Sequence, residues 1–164
     1  YLLLEGAENL NAKLRLSTLA RQINEDMVKH AVNLAQDALR SCGKTLRRCR
    51  VAVLGPAYTS LATDIFVKLI EQKGAKVNFY DPTTKKEMPD SGTIKTSLSE
   101  AVEGTDCVIV LSGQEQFNNL NLKKLRVLMK APSALVDVVG MFDKAQVETE
   151  GFIYAGLGRG TERK

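Results

Sequence analysis

Two hydrophobic periods divide this chain. From about Asn11 to Ser41 apolar residues recur every three or four positions, at Leu16, Ala20, Ile23, Met27, Ala31, Leu34 and Ala38, the spacing that lines one face of an α-helix. Cys42-Gly43 supplies the stop, because glycine takes the left-handed conformation that commonly follows a helix end. At 1.5 Å per residue, a helix of roughly 30 residues reaches about 45 Å, longer than a small domain is wide. Part of the stripe is therefore expected outside any α/β core, where Leu16, Ile23, Met27 and Leu34 suit a dimer seam.

After Gly43 the period shortens. Arg50 to Leu54, Val77 to Tyr80, Cys107 to Leu111, Ala134 to Val138 and Phe152 to Ala155 are short apolar runs that predict buried strands. Helical patterns fall between them, at Ser60 to Gln72, Ser97 to Val102, Leu120 to Lys130 and near Lys144 to Glu148. Thr83 to Thr96, with Pro89, Asp90, Ser91 and Gly92, reads as an exposed loop. Regular strand and helix alternation predicts an α/β fold: a long N-terminal helix, then a doubly wound, mainly parallel, five-stranded Rossmann-like sheet. The expected division is a helical region over 1–43 and the sheet domain over 44–164.

Sheets of this kind bind ligands at the carboxyl ends of their strands, near the point where strand order reverses. That rule nominates Gly55 to Ser60, Asp81-Pro82, Ser112-Gly113 and the segment after Asp137. Strand, glycine turn, helix and a second strand closed by an acid form the start of a nucleotide-binding βαβ unit. A full G-x-G-x-x-G would need glycine where Ala57 and Ser60 stand, so Gly55 alone specifies a tight turn. Asp81 fits a ribose hydroxyl, and Asp-Pro fits a turn equally well. Asp137 fits a buried polar role or the fixing of the turn that follows it.

Composition narrows the chemistry. The 164 residues are 44% hydrophobic, enough for a core without staples. Cys42, Cys49 and Cys107 are scattered, which fits a reducing, cytoplasmic setting. No run approaches a membrane span. The charge of +4 is mild, and no aromatic side chain interleaves the cations of Lys44 to Arg50, which argues against nucleic acid as a partner. His30 is the only histidine and lies within the long helix, and no ligand spacing predicts a metal. No constellation amounts to a catalytic site, and the tail Gly156-Leu-Gly-Arg-Gly160 fits either a phosphate contact or a frayed end.

Four segments then carry a resemblance. Val53-Leu-Gly-Pro-Ala-Tyr58, Gln72-Lys-Gly-Ala-Lys-Val77 with Tyr80-Asp-Pro82, Gly104-Thr-Asp-Cys-Val-Ile-Val-Leu111 and Gly151-Phe-Ile-Tyr-Ala-Gly-Leu-Gly-Arg-Gly160 occur in order along the chain. Together they resemble the C-terminal, UDP-binding domain of the UDP-glucose/GDP-mannose dehydrogenase family. Leu19-Ala-Arg-Gln-Ile-Asn24 is similar to that family's central dimerisation helix, and Tyr1-Leu-Leu-Leu to the segment after its catalytic motif. The resemblance implies a homodimeric, NAD-dependent enzyme that oxidises C6 of a nucleotide sugar to a uronic acid, through a thiohemiacetal on cysteine. It places Gly55, Ala57, Tyr58, Thr59, Ser60, Asp81 and Asp137 at the substrate. It also places the NAD domain and the cysteine motif upstream of Tyr1, so this stretch alone is expected to be inactive and to hold no catalytic residue.

The match is incomplete at the cations. Thr59 stands where relatives carry lysine, the arginine-bearing loop after it is shorter, and the family's D-G-R becomes Asp137-Val-Val139. Each charge-assisted bond lost at a diphosphate is worth roughly 1.5–3 kcal/mol, with Arg159 and Lys85 as the cations left to compensate. A non-catalytic nucleotide-binding or dimerisation module with a degenerate site is therefore the competing expectation.

Overall fold

A computed structural model of the chain describes residues 14–55, 61–83 and 93–158. In chain order its elements are α1 (Arg15–Ser41), β1 (Arg50–Leu54), α2 (Leu61–Gln72), β2 (Lys76–Tyr80), β3 (Thr93–Ile94) and α3 (Leu98–Val102). There follow β4 (Cys107–Val110), α4 (Glu115–Asn118), α5 (Leu122–Leu128), β5 (Ser133–Asp137), α6 (Lys144–Thr149) and β6 (Phe152–Gly156). The strands form one parallel sheet in the order β3-β2-β1-β4-β5-β6. This is the doubly wound arrangement that the alternating pattern predicts, with its switch point between β1 and β4.

The sheet has six strands rather than five. The additional β3 pairs Asn78 and Phe79 of β2 with Thr93 and Ile94, inside the stretch read as a loop. Two residues are too few to show a period, so no hydrophobic signal marks them. The same brevity hides α4, four residues between β4 and α5.

Alternation along the strands sends side chains to both faces. Val51, Val53, Val77, Phe79, Ile109 and Val136 pack against α1 and α2 on one side. Ala52, Leu54, Val108, Val110, Leu135 and Tyr154 pack against the shorter helices on the other. The central strands are apolar on both faces because both faces are covered.

The long helix serves two purposes. Its C-terminal half belongs to the core, through Val28, Ala31, Val32, Leu34, Ala35, Ala38 and Leu39. Its N-terminal half leaves the sheet behind: Leu16 is 85% exposed, Leu19 53% and Ile23 52%. Leu34 is a correction to the expected seam. At 8% exposure it is spent on the chain's own core, because by that point the helix lies against α2 and the sheet. The proposed boundary at residue 43 therefore falls after a helix half that shares the sheet's core.

At the amino-terminal end of the sheet, Lys44 ties four segments together. Its Nζ donates to Asp106 Oδ1 at 2.8 Å and to the carbonyls of Lys130 and Pro132 at 3.2 and 2.7 Å. The Arg50 amide donates to Asp106 Oδ2 at 2.9 Å. Burial pushes the Asp106 carboxyl up, but the Lys44 ammonium, the Arg50 amide and the Lys130 charge outweigh it and hold the group below its ordinary value.

Candidate functional site

The site is built where β1 and β4 diverge. Gly55 follows β1 with φ +145°, in the range that disfavours a side chain. A Cβ there would lie 3.1 Å from Ser112 Cβ and 3.3 Å from Ser112 N, so glycine is what lets the β1 and β4 exits close on each other. The sheet ladder continues into this corner. Gly55 N donates to Tyr80 O at 3.2 Å and Leu111 N to Leu54 O at 2.9 Å. The next exit is equally close, since a Cβ on Gly113 would lie 3.3 Å from Val139 Cγ1.

Asp81 and Asp137 end β2 and β5 and are both buried, at 4% and 0% exposure. Asp81 Oδ1 accepts the Thr83 amide at 2.9 Å and the Thr83 hydroxyl at 2.6 Å, the turn-forming role weighed for an Asp-Pro. Asp137 is more deeply committed. Its Oδ1 accepts the amides of Val139 at 3.1 Å and Gly140 at 2.7 Å. Its Oδ2 accepts the Phe142 amide at 2.8 Å and the Tyr154 hydroxyl at 3.3 Å. With both oxygens so used, Asp137 shapes the rim of the site from beneath, and a direct ligand contact through its carboxylate would compete with the turn it holds.

Of the residues nominated on sequence, the structure brings Gly55, Ser112, Gly113 and the turn after Asp137 to one end of the sheet. Ala57, Tyr58, Thr59 and Ser60 lie outside the described residues, as do Tyr1 to Leu4, Lys85 and Arg159. Val139, at the position where the resemblance implies an arginine, is a large hydrophobic side chain 46% exposed on this rim.

Beside the switch point lies a groove of about 320 Å³ that sequence reasoning missed. Asn24 and Met27 from α1, Thr63 and Phe66 from α2, and Leu111, Val138 and Leu157 beyond three strand ends line it. Met27, counted for the dimer stripe, therefore also faces the carboxyl end of the sheet. The missing signal is tertiary: residues from five segments meet there only after α1 has docked on α2 and the sheet.

Cys42, Cys49 and Cys107 are free and buried, and loss of solvent pushes all three thiols up, away from the thiolate a nucleophile needs. His30 is exposed on α1. Among the described residues no group of His, Cys, Asp and Glu side chains is placed to hold a metal ion, and no helix is long and apolar enough to cross a membrane.

Comparison with known proteins bears on this geometry. The profile of the UDP-glucose/GDP-mannose dehydrogenase family, UDP binding domain, matches residues 58–144, more than half of the chain. A UDP-N-acetyl-D-mannosamine dehydrogenase of Pyrococcus horikoshii is 30% identical over 98% of this chain and 37% of its own length. A UDP-glucose 6-dehydrogenase of Bacillus subtilis is 25% identical over 96% of this chain and 35% of its own. The crystal structure of an NDP-N-acetyl-D-galactosaminuronic acid dehydrogenase from Methanosarcina mazei superposes with a TM-score of 0.85 at 25% identity, over 96% of this chain and 36% of that one. The chain thus spans little more than a third of the length of the relatives it matches.

Proposed function

The chain belongs to the UDP-glucose/GDP-mannose dehydrogenase family, and from that premise we propose that it is the C-terminal, substrate-holding part of a nucleotide-sugar 6-dehydrogenase. The observation that carries the proposal is the Gly55–Ser112 approach, which sets a glycine turn at the switch point of a parallel sheet four of whose six strands lie in the stretch that matches the family's UDP-binding domain. The Ser112–Gly113 backbone of that corner would face the diphosphate beside the turn that Asp137 holds, and the adjoining groove would take apolar parts of the ligand.

Oxidation of a C6 hydroxyl to a carboxylate needs two hydride transfers and a nucleophile. NAD would accept the hydrides, held mainly by a part of the enzyme that precedes this stretch, and the cysteine would come from there as well. The work of this chain's own residues is to bind and orient the nucleotide sugar, with Asp137 and Tyr154 fixing the rim and Asp81 fixing the exit of β2. The exposed stripe of Leu16, Ile23 and Met27 fits a homodimer seam. The buried free thiols fit a reducing, cytoplasmic setting. On this reading the stretch alone binds substrate and turns nothing over.

One observation favours a second reading. Val139 puts an exposed apolar side chain where a cation would meet the ligand, which suits a module that keeps the fold and the seam while binding nucleotide weakly. Kinetics on the full-length parent decide between the two. A UDP-sugar-dependent reduction of NAD, lost when the upstream cysteine is replaced, supports the dehydrogenase. A full-length protein that reduces no NAD with any UDP- or GDP-sugar supports the module.

A further inference from the structure

We propose that the amino-terminal edge of the sheet, the pole opposite the nucleotide corner, is a docking strip for a narrow acidic protein segment. Elsewhere on the surface several cations are matched by acids: Arg21 pairs with Glu25, Lys29 with Asp26, Arg40 with Asp37 and Lys144 with Glu148. At this edge five unmatched cations share one end of the sheet. Arg47, Arg48, Arg50, Lys73 and Lys76 are all exposed, and among the described residues none of their side chains pairs with an acid.

The fold forces these charges together. Arg50 and Lys76 are register partners at the start of neighbouring strands, where like charges oppose each other across the sheet and destabilise it. The Arg48 amide donates to Gly74 O at 2.8 Å and the Lys76 amide to Cys49 O at 2.8 Å, which locks the two corners side by side. Lys44, the other cation of this loop, is already neutralised by Asp106. Exposed cations gathered at one edge with no acid paired to them favour an external anion.

The surroundings choose among anions. No aromatic side chain lies between Lys44 and Arg50 to stack a base. Glu71, in the last turn of α2, and Glu103, just past α3, stand at helix ends on opposite faces of the sheet, since α2 packs on one face and α3 on the other. A broad anionic surface such as a bilayer or a duplex would meet both glutamates. A single extended acidic peptide can lie along the cations between them.

Fluorescence anisotropy with labelled decaglutamate and the 164-residue chain tests the strip, and it does not depend on the nucleotide reading. Binding should fall steeply with salt. It should weaken about tenfold or more in Arg48→Glu/Lys73→Glu, and stay within about twofold in Lys123→Glu/Lys124→Glu on α5. Lys76→Gln should raise the melting temperature of the free chain while weakening the peptide, the signature of charges kept against stability. Peptide binding that is absent, or equal in all variants, overturns the proposal. So does a lowered melting temperature for Lys76→Gln, or tighter binding to oligo-dT or to phosphatidylglycerol vesicles than to the peptide.

Discussion

Lys44 and Asp106 are 62 positions apart, yet their side chains meet at 2.8 Å in a largely buried ion pair that joins the loop after α1 to the entries of β1, β4 and β5. Replacing Lys44 with methionine keeps the stem and removes the charge, leaving Asp106 partly desolvated against one amide. The expected loss is about 2–4 kcal/mol, read from urea unfolding. The pH dependence has a definite sign. Asp106 is held below its ordinary value, so its contribution is present above the unfolded carboxyl range and is lost as pH falls through the lower folded value. The wild type should therefore lose stability on acidification below about pH 4 with a component that Lys44→Met lacks.

Asp137 predicts a graded pair of variants. Tyr154→Phe removes one hydroxyl at 3.3 Å and should cost about 1 kcal/mol. Asp137→Ala strips the acceptor from three buried or half-buried amides and should cost about 3 kcal/mol or more. Equal losses in chemical denaturation would mean that the carboxylate does not organise the turn.

Gly55 and Gly43 separate backbone conformation from crowding. Both have φ in the range that disfavours side chains, +145° and +70°, but an added Cβ meets Ser112 at 3.1 Å in the first case and nothing within 4 Å in the second. Gly43→Ala should cost about 1 kcal/mol, and Gly55→Ala about 2–4 kcal/mol by melting. The opposite order would mean that the β1 and β4 exits are not in contact.

Ile23 and Leu34 lie on one apolar stripe and should behave oppositely. Ile23→Asp, at an exposed position, should abolish any dimer in sedimentation velocity while the monomer's melting temperature stays within a few degrees. Leu34→Asp buries a charge in the core and should destabilise the chain by about 3 kcal/mol or more, whatever its oligomeric state. A dimer that survives Ile23→Asp would place the seam elsewhere.

How much of this was legible beforehand follows from the length scale of each signal. The five longer strands and the four longer crossover or flanking helices carry their own periods, so their order and the position of Gly55 follow from local pattern. β3 and α4 span only about one period each, too little to show a repeat, and left no trace. The stripe from Leu16 to Ala38 looks uniform in sequence, and only the docking of its second half on α2 distinguishes inward Leu34 from outward Ile23. Asp137 could be seen as an acid at a strand end, but its satisfied oxygens could not, because its partners include Tyr154 on the neighbouring strand. The groove and the Lys44–Asp106 tie involve residues from distant segments and have no local signature.

The measurement that bears most directly on the central claim is a calorimetric and thermal-shift titration of the chain with UDP, UDP-glucose, UDP-N-acetylhexosamines, GDP-mannose and NAD. A site of about 1 mM affinity should add roughly 1.4 kcal/mol at 10 mM ligand. The account predicts stabilisation by UDP compounds, little by NAD, and a loss of the UDP effect in Gly55→Ala at temperatures where that variant is still folded. Stabilisation by NAD alone, or by no nucleotide at all, would contradict a sugar-nucleotide site at the β1–β4 switch point.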